Sequence, residues 1–129
     1  MLKNSKAFGS FSVDNLEKAQ QFYGQTLQLD VALNAMGILD INIAGGAKVI
    51  AYPKPNHTPA TFTILNFPVD DIEKAVDGLL KQGIVFEHYD MNELKTDTKG
   101  IMWGKKTGMG PNQAWFKDPA GNILSVLEG

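Results

Sequence analysis

The 129-residue sequence predicts an α+β fold made of two copies of one module, on three observations. The segment FSVDNLEKA at residues 11–19 returns as FPVDDIEKA at residues 67–75, which is a repeat of 56 residues. Apolar residues at helical spacing follow each copy, and strand-like sequence follows each predicted helix. A period of this length that occurs twice indicates one supersecondary unit duplicated inside a single domain.

Each copy of the repeat reads as a strand that runs into a helix. Phe11 and Val13 lie on one side of the first predicted strand, and Phe67 and Val69 take the same places in the second. We expect this side to pack beneath the helix that follows, because the apolar stripe of that helix must be buried.

Acidic residues mark the predicted start of both helices. Asp14 and Asp70 are predicted as N-caps, and Glu17 and Glu73, three residues later, are predicted to complete a capping box. The sequence therefore predicts the same switch from strand to helix in both halves.

Further strands are predicted after each helix. In the first half, residues 39–43 and 47–52 flank the turn at 44–46, which predicts a hairpin. In the second half, residues 84–89, 112–116 and 123–127 read as strands, and the last two are joined by a turn at 117–122. A ferredoxin-like plait also duplicates a strand–helix–strand unit, so the pattern leaves two α+β candidates. About three strands after each helix favour the larger module.

Composition and charge restrict the classes of function. With 12 Lys and Arg against 14 Asp and Glu, the net charge of −2 gives no basic patch for nucleic acid. The absence of Cys excludes disulfides, thiolate nucleophiles and zinc held by Cys. Because there is no long apolar run and no cleavable leader pattern, we expect a soluble, cytoplasmic protein without membrane contact.

Two motifs resemble the vicinal oxygen chelate superfamily of glyoxalases, bleomycin-resistance proteins and extradiol dioxygenases. These are FKDPAGNIL at residues 116–124, and VDNLEKA at residues 13–19 followed by Phe22-Tyr23. The resemblance covers the whole chain and implies two βαβββ modules forming a curved mixed sheet around a cleft, often in a homodimer. We expect one such domain over 1–129, with module 1 at about 5–55, a proline-rich connector at about 53–60 and module 2 at about 61–128.

The same resemblance implies where metal-dependent members hold their divalent ion, through two His and one or two Glu. The corresponding positions here are Phe8, Ala51, Ile64 and Ser125. A divalent ion needs several nitrogen or oxygen donors, and one hydroxyl does not supply them. We therefore predict that the chain has no metal site and no other cofactor.

Without a metal, the resemblance to the bleomycin-resistance branch implies a protein that binds a small molecule of unknown identity. Ligand pockets favour aromatic and apolar walls with a few polar groups. The predicted walls are Phe8, Tyr52, Ile64, Trp103 and Trp115, and the predicted orienting groups are Ser10, Asn66 and Ser125.

The Gly-rich segment at residues 91–111 contains Met102, Trp103 and Met109. One interpretation is a mobile lid that closes over an apolar ligand. The other is an ordinary long excursion in which Trp103 is packed down or lies at a subunit interface.

Catalysis is the alternative class of function. A glyoxalase- or dioxygenase-like metalloenzyme would need an unconventional site, for which Asp40, Glu87, His88 and Asp90 are the candidates. A metal-independent isomerase or lyase would use Glu87 or His88 as its base. Neither His88 nor His57 belongs to a recognised metal-binding spacing.

Overall fold

The computed structural model describes residues 1–129 and divides into two compact units, Met1–Pro59 and Ala60–Gly129. Unit 1 begins with a 3-10 turn at Leu2–Asn4. Its elements are β1 (Gly9–Val13), α1 (Leu16–Gln21, continued by a π-helical turn at Phe22–Thr26), β2 (Asp30–Leu33), β3 (Leu39–Asn42) and β4 (Lys48–Pro53). They form a four-stranded sheet in the order β1-β4-β3-β2, in which only the β1–β4 pair is parallel.

Unit 2 repeats this plan with an added segment at residues 90–111, which we call the excursion. Its elements are β5 (Thr63–Pro68), α2 (Ile72–Lys81), β6 (Asp90–Met91), β7 (Leu94–Lys95), β8 (Ile101–Trp103), α3 (Gly104–Thr107), β9 (Asn112–Lys117) and β10 (Ile123–Glu128). The sheet order is β5-β10-β9-β8, with β5 and β10 parallel, while β6 and β7 form a separate small hairpin. The predicted fold class of two βαβββ modules is confirmed.

The buried side of each sheet is the side predicted to lie under the helix. In unit 1 the strand register places Phe11 beside Ala51 and Ala51 beside Leu39, and α1 covers this side with Ala19 and Tyr23. The rings of Phe11 and Tyr23 lie 5.6 Å apart. In unit 2, α2 packs on β9 and β10 with its own buried residues Ile72 and Val76. The sheet residues buried on that side are Ile101, Ala114, Phe116, Leu124 and Val126.

The helix caps differ from the prediction by one residue. Asn15 Oδ1 accepts a hydrogen bond from Lys18 N at 3.0 Å, and Asp71 Oδ1 accepts one from Lys74 N at 3.2 Å. The predicted caps Asp14 and Asp70 were therefore wrong. Because the helices begin at residues 16 and 72, the acidic residues at 17 and 73 lie in the first turn and favour the helix dipole, but they do not form a capping box.

The predicted hairpin around residues 44–46 is confirmed, whereas the predicted strand at 84–89 is wrong. In that segment only Phe86 forms a bridge, to Phe116. The chain then leaves β9 because the backbone of Tyr89 bonds with Thr96 in the excursion. The fourth position in the sheet is taken by β8, which pairs with β9.

The Asp-Pro-x-Gly-Asn motif is a turn closed by its own side chains. Asp118 is buried, and its Oδ1 accepts hydrogen bonds from the backbone N–H groups of Ala120 at 2.9 Å and Asn122 at 2.8 Å. Asn122 Oδ1 in turn accepts a hydrogen bond from Ala60 N at 3.4 Å. The motif thus stabilises the β9–β10 connection and holds the start of unit 2 against it.

None of the helices combines the length and apolar character that a membrane span requires.

Candidate functional site

In unit 2, the sheet side away from the buried helix contacts carries a row of polar and aromatic side chains. The register places Ser125 beside Asn66 on β5 and beside Trp115 on β9. Side chains alternate along a strand, so Gln113 shares this side with Trp115. We call this surface the polar face, comprising Asn66, Tyr89, Gln113, Trp115 and Ser125.

A hydrogen-bond network lies at the centre of the polar face. Ser125 is fully buried, and its hydroxyl donates to Asn66 Oδ1 at 2.6 Å and accepts from Gln113 Nε2 at 3.0 Å. The Gln113 amide nitrogen also lies 3.4 Å from Asn66 Oδ1. The network satisfies the buried hydroxyl, while the amide nitrogen of Asn66 and the amide oxygen of Gln113 keep hydrogen-bonding capacity for a ligand.

An aromatic pair borders this network. The rings of Tyr89 and Trp115 meet edge to face, with centroids 5.7 Å apart. Burial, together with the negative charge of Glu87, raises the pKa of the Tyr89 hydroxyl above its ordinary value. The phenol therefore keeps its proton at neutral pH and is able to donate a hydrogen bond.

The two groups considered as catalytic bases have other surroundings. Glu87 lies 3.4 Å from the ammonium of Lys117 and is partly buried in this ion pair. His88 is exposed. Of the other two candidates, Asp40 pairs with Lys48 at 3.9 Å inside unit 1, and Asp90 is exposed at the start of β6. Glu87 and Asp40 are thus paired with lysines, and the candidates do not form a hydrogen-bonded row of nucleophile, general base and orienting group.

In unit 1, the corresponding side of the sheet carries Ser10 and Tyr52. Ser10 lies beside Ile50, and Tyr52 lies beside Ser12, whose hydroxyl shares a 2.6 Å hydrogen bond with His57 Nδ1. Phe8 precedes β1, is 60% exposed, and has the Lys48 ammonium 5.7 Å from its ring centroid.

The structure thus brings together three of the predicted site residues, namely Asn66, Trp115 and Ser125. Ile64 lies on β5 next to the register shift between Ile123 and Leu124. Trp103 lies outside the polar face, and Phe8, Ser10 and Tyr52 belong to unit 1.

Two members of the polar face, Tyr89 and Gln113, were not predicted. The sequence held a signal for Gln113, because it lies two residues before Trp115 in a predicted strand and must share its side. No comparable signal exists for Tyr89, whose position depends on the excursion that follows it.

The strand register also tests the positions at which a divalent ion would be held. Ala51 is fully buried among the helix contacts, so its predicted correspondence to a metal position was wrong. Ser125 pairs with Asn66 as Ile50 pairs with Ser10, so Ile50 is the unit 1 counterpart of Ser125. The four positions that correspond to metal ligands are therefore Phe8, Ile50, Ile64 and Ser125. No three His, Cys, Asp or Glu side chains cluster anywhere in the chain. These residues do not fit a divalent ion.

The excursion forms a pocket of about 490 Å³. It is lined by Asn92, Glu93, Lys95, Thr96, Asp97, Ile101, Met102, Trp103, Thr107 and Met109. We call it the Trp103 pocket.

A sequence profile of the Glyoxalase/Bleomycin resistance protein/Dioxygenase superfamily matches residues 9–126. The chain belongs to this superfamily. The match covers nearly the whole of both modules and confirms the resemblance found in the sequence. A search of functionally curated proteins found no significant match to this superfamily member.

Several solved structures share the fold. An integron cassette protein from the mobile metagenome of the Halifax Harbour sewage outfall is 22% identical, with a TM-score of 0.67 and coverage of 97% of this chain and 100% of that one. TnmS3, an antibiotic-binding protein from Streptomyces sp. CB03234, is 20% identical, with a TM-score of 0.64 and 97% of each chain covered. A glyoxalase/dioxygenase from Nostoc punctiforme is 16% identical, with a TM-score of 0.65 and coverage of 97% and 90%. At these identities the comparisons establish the fold alone.

Proposed function

We propose that this superfamily member binds a small organic molecule on the polar face of unit 2 and does so without a metal ion. The observation that carries the proposal is the network of Asn66, Gln113 and Ser125 beside the Tyr89–Trp115 pair. It combines a fixed polar centre with an aromatic wall, which is the usual composition of a small-molecule site.

The chemistry of the polar face indicates the kind of ligand. Asn66 offers an amide donor, Gln113 an amide acceptor, and Tyr89 a phenolic donor whose pKa is raised by burial. Trp115 offers an aromatic surface for stacking or edge contacts. A planar or aromatic molecule with both hydrogen-bond donors and acceptors fits these groups best.

The antibiotic-binding neighbour supports a binding role. TnmS3 shares this fold over 97% of both chains and is described as an antibiotic-binding protein. Binding requires complementary shape and hydrogen bonds but no polarising ion. This agrees with the residues at the four metal-ligand positions, Phe8, Ile50, Ile64 and Ser125, which do not fit a divalent ion. We therefore favour sequestration of a ligand over lyase or dioxygenase chemistry.

Elemental analysis tests the metal-free part of the proposal. Untagged protein is incubated with Ni²⁺, Zn²⁺, Mn²⁺ and Fe²⁺, dialysed, and measured for bound metal. We expect less than a stoichiometric amount of each ion. A stoichiometric ion that EDTA removes would overturn the metal-free assignment and favour an unconventional metalloenzyme.

Tryptophan fluorescence tests the ligand part, because the chain has two Trp residues and only Trp115 lies on the polar face. In Trp103→Phe, quenching of the remaining Trp115 is followed against a panel of aromatic antibiotics and metabolites. We expect saturable quenching by at least one compound. Ser125→Ala should weaken this quenching. Ser5→Ala is the control, because Ser5 is exposed and belongs to unit 1. Silence across the panel would contradict the proposal.

Association into a homodimer is also proposed for this chain. The edge strand β2 pairs only with β3, and Leu33 and Met36 near its end are 50% and 79% exposed. Apolar groups of this kind support a contact between copies. Sedimentation velocity at several concentrations is expected to give a dimer, and a monomer at all concentrations would contradict it.

A further inference from the structure

The Trp103 pocket has an aromatic wall that is held in place by hydrogen bonds. The Trp103 indole N–H donates to Asp97 Oδ2 at 2.9 Å. Asp97 Oδ1 accepts from the backbone N–H groups of Lys99 and Ile101, each at 2.9 Å. The Lys106 ammonium lies 5.0 Å from the Trp103 ring centroid. The indole is therefore oriented before any ligand arrives.

Close backbone packing also fixes the segment that forms the pocket. A Cβ at Gly104 would collide with the carbonyl oxygens of Gly110 and Pro111, and one at Gly100, where φ is +89°, would lie 2.8 Å from Phe86 Cβ. The side chain of Asn112 accepts a hydrogen bond from Lys105 N at 3.1 Å. The Trp103 pocket is thus built by an anchored segment with little room for other residues at these two glycines.

Most polar groups in the pocket already have partners inside the chain. The Asp97 carboxylate has three donors, the Thr96 hydroxyl bonds with the backbone of Tyr89, and the Thr107 hydroxyl donates to Gly104 O at 3.2 Å. What remains for a ligand is the apolar surface of Met102, Trp103 and Met109. Asn92, Glu93 and Lys95 also line the pocket, and their side chains are exposed.

From this arrangement we propose that the Trp103 pocket is a second small-molecule site, which takes a planar aromatic ring against Trp103 and the two methionines. The volume of about 490 Å³ accommodates a bicyclic or tricyclic ring system. Thioether side chains adapt to rings of different outline and make favourable contacts with their edges. Polar substituents of the ligand lie at the opening, near Glu93 and Lys95. The site does not depend on ligand binding at the polar face.

The test uses Trp115→Phe, in which Trp103 is the only tryptophan. Two probes share one ring system and differ in charge, namely 8-anilino-1-naphthalenesulfonate and N-phenyl-1-naphthylamine. We expect both to quench Trp103 emission saturably, because the ring and not the sulfonate makes the apolar contacts. Failure of both probes to quench Trp103 would overturn the proposal, and so would emission that changes only with protein concentration, which would place Trp103 at a contact between copies.

Matched variants locate the bound probe. Met109→Ala removes a side chain that lines the pocket and is 52% exposed, whereas Met91→Ala removes one that is 54% exposed and does not line it. We expect Met109→Ala to weaken probe binding about fivefold to tenfold and Met91→Ala to leave it unchanged. Equal effects of the two variants would contradict the assignment.

A third variant tests the role of Asp97 as a positioning residue. Asp97→Asn keeps the side-chain size but loses the carboxylate that holds the indole N–H. In Trp115→Phe, we expect this change to weaken probe binding and to shift the Trp103 emission maximum of the unliganded protein. In Trp103→Phe, the same change should leave the Trp115 response of the polar face unchanged. Unaltered probe binding together with an unaltered emission maximum would show that Asp97 does not orient the indole.

Discussion

The two units share one plan on their helix side and differ on the other side of the sheet. Each has a first strand parallel to its last, a helix capped by an Asx side chain and a buried apolar layer beneath that helix. On the opposite side, Ile50 beside Ser10 in unit 1 becomes Ser125 beside Asn66 in unit 2. The two units thus share the same buried helix side, while the other side of each sheet carries different residues.

The excursion is the second difference. In unit 1 the chain passes from α1 through β2 and β3 to β4 with short connections. In unit 2 the β6–β7 hairpin and α3 are added, and Lys99 holds the excursion to α2 through Asp77 at 2.9 Å and Glu73 at 4.0 Å. The Trp103 pocket is therefore a property of unit 2 alone.

Removing a buried ring from the helix side of either unit is expected to lower the free energy of unfolding the most. Phe116→Ala in unit 2 and Phe11→Ala in unit 1 each remove a buried ring, and each should lower the free energy of unfolding by about 3–5 kcal/mol. Denaturant unfolding followed by circular dichroism measures both. A small loss at one position and a large loss at the other would break the equivalence of the two buried layers.

Ser125→Ile is the next largest, because it gives unit 2 the residue that unit 1 has. The larger side chain must enter a fully buried position and leaves Asn66 and Gln113 without their shared partner, so a loss of about 1–3 kcal/mol is expected. Ligand quenching of Trp115 should disappear. The reciprocal Ile50→Ser variant should leave that quenching intact, and its loss there would mean that the polar face is not confined to unit 2.

Asp97→Asn should destabilise the protein by about 1–2 kcal/mol at neutral pH, since hydrogen bonds to a partly exposed carboxylate are lost. Burial of Asp97 acts to raise its pKa, but hydrogen bonds from Ile101, Trp103 and Lys99 and the charge of Lys99 together lower it. A depressed pKa means that the stabilisation is complete above the unfolded value of about 3.9 and is lost as the pH falls through the lower folded value.

The difference in unfolding free energy between wild type and Asp97→Asn should accordingly be constant from pH 7 to pH 5 and shrink below about pH 4. Asp40→Asn in unit 1 is the control, because Asp40 accepts one side-chain hydrogen bond, from Asn34 at 3.3 Å, and lies 3.9 Å from the Lys48 ammonium. A difference that grows at acidic pH would contradict the role given to the Asp97 carboxylate.

The smallest expected effect concerns the caps. Asn15→Ala and Asp71→Ala should each cost about 1 kcal/mol, because each removes an acceptor for the N–H group three residues later. Asp14→Ala and Asp70→Ala, one residue earlier, should cost less. The reverse order in thermal unfolding would restore the caps expected from the sequence.

Local patterns were sufficient to predict the duplicated plan. The strand and helix around each repeat depend on neighbours within a few residues, so the module and the β3–β4 hairpin were visible in the sequence. The caps were misplaced by one residue because Asp14 and Asn15, like Asp70 and Asp71, are both good N-caps. In both copies the structure uses the second of the two, Asn15 and Asp71.

The excursion and the place of Tyr89 in the polar face were beyond local reasoning. Residues 84–89 alternate like a strand, but the bond of Tyr89 with Thr96 and the contact of Gly100 with Phe86 direct the chain elsewhere. These pairs are seven and fourteen residues apart, which is beyond the span of strand alternation within residues 84–89. The pairing of Ser125 with Asn66 likewise depends on a parallel register over 59 residues, although both had been predicted separately as orienting groups.

The central claim is that unit 2 alone provides a metal-free ligand face, and a fluorescence titration of Trp103→Phe in the presence of EDTA tests it most directly. We predict saturable quenching of Trp115 by an aromatic ligand, abolished by Ser125→Ile and retained in Ile50→Ser. Quenching that appears only after a divalent ion is restored, or that survives Ser125→Ile unchanged, would contradict the claim.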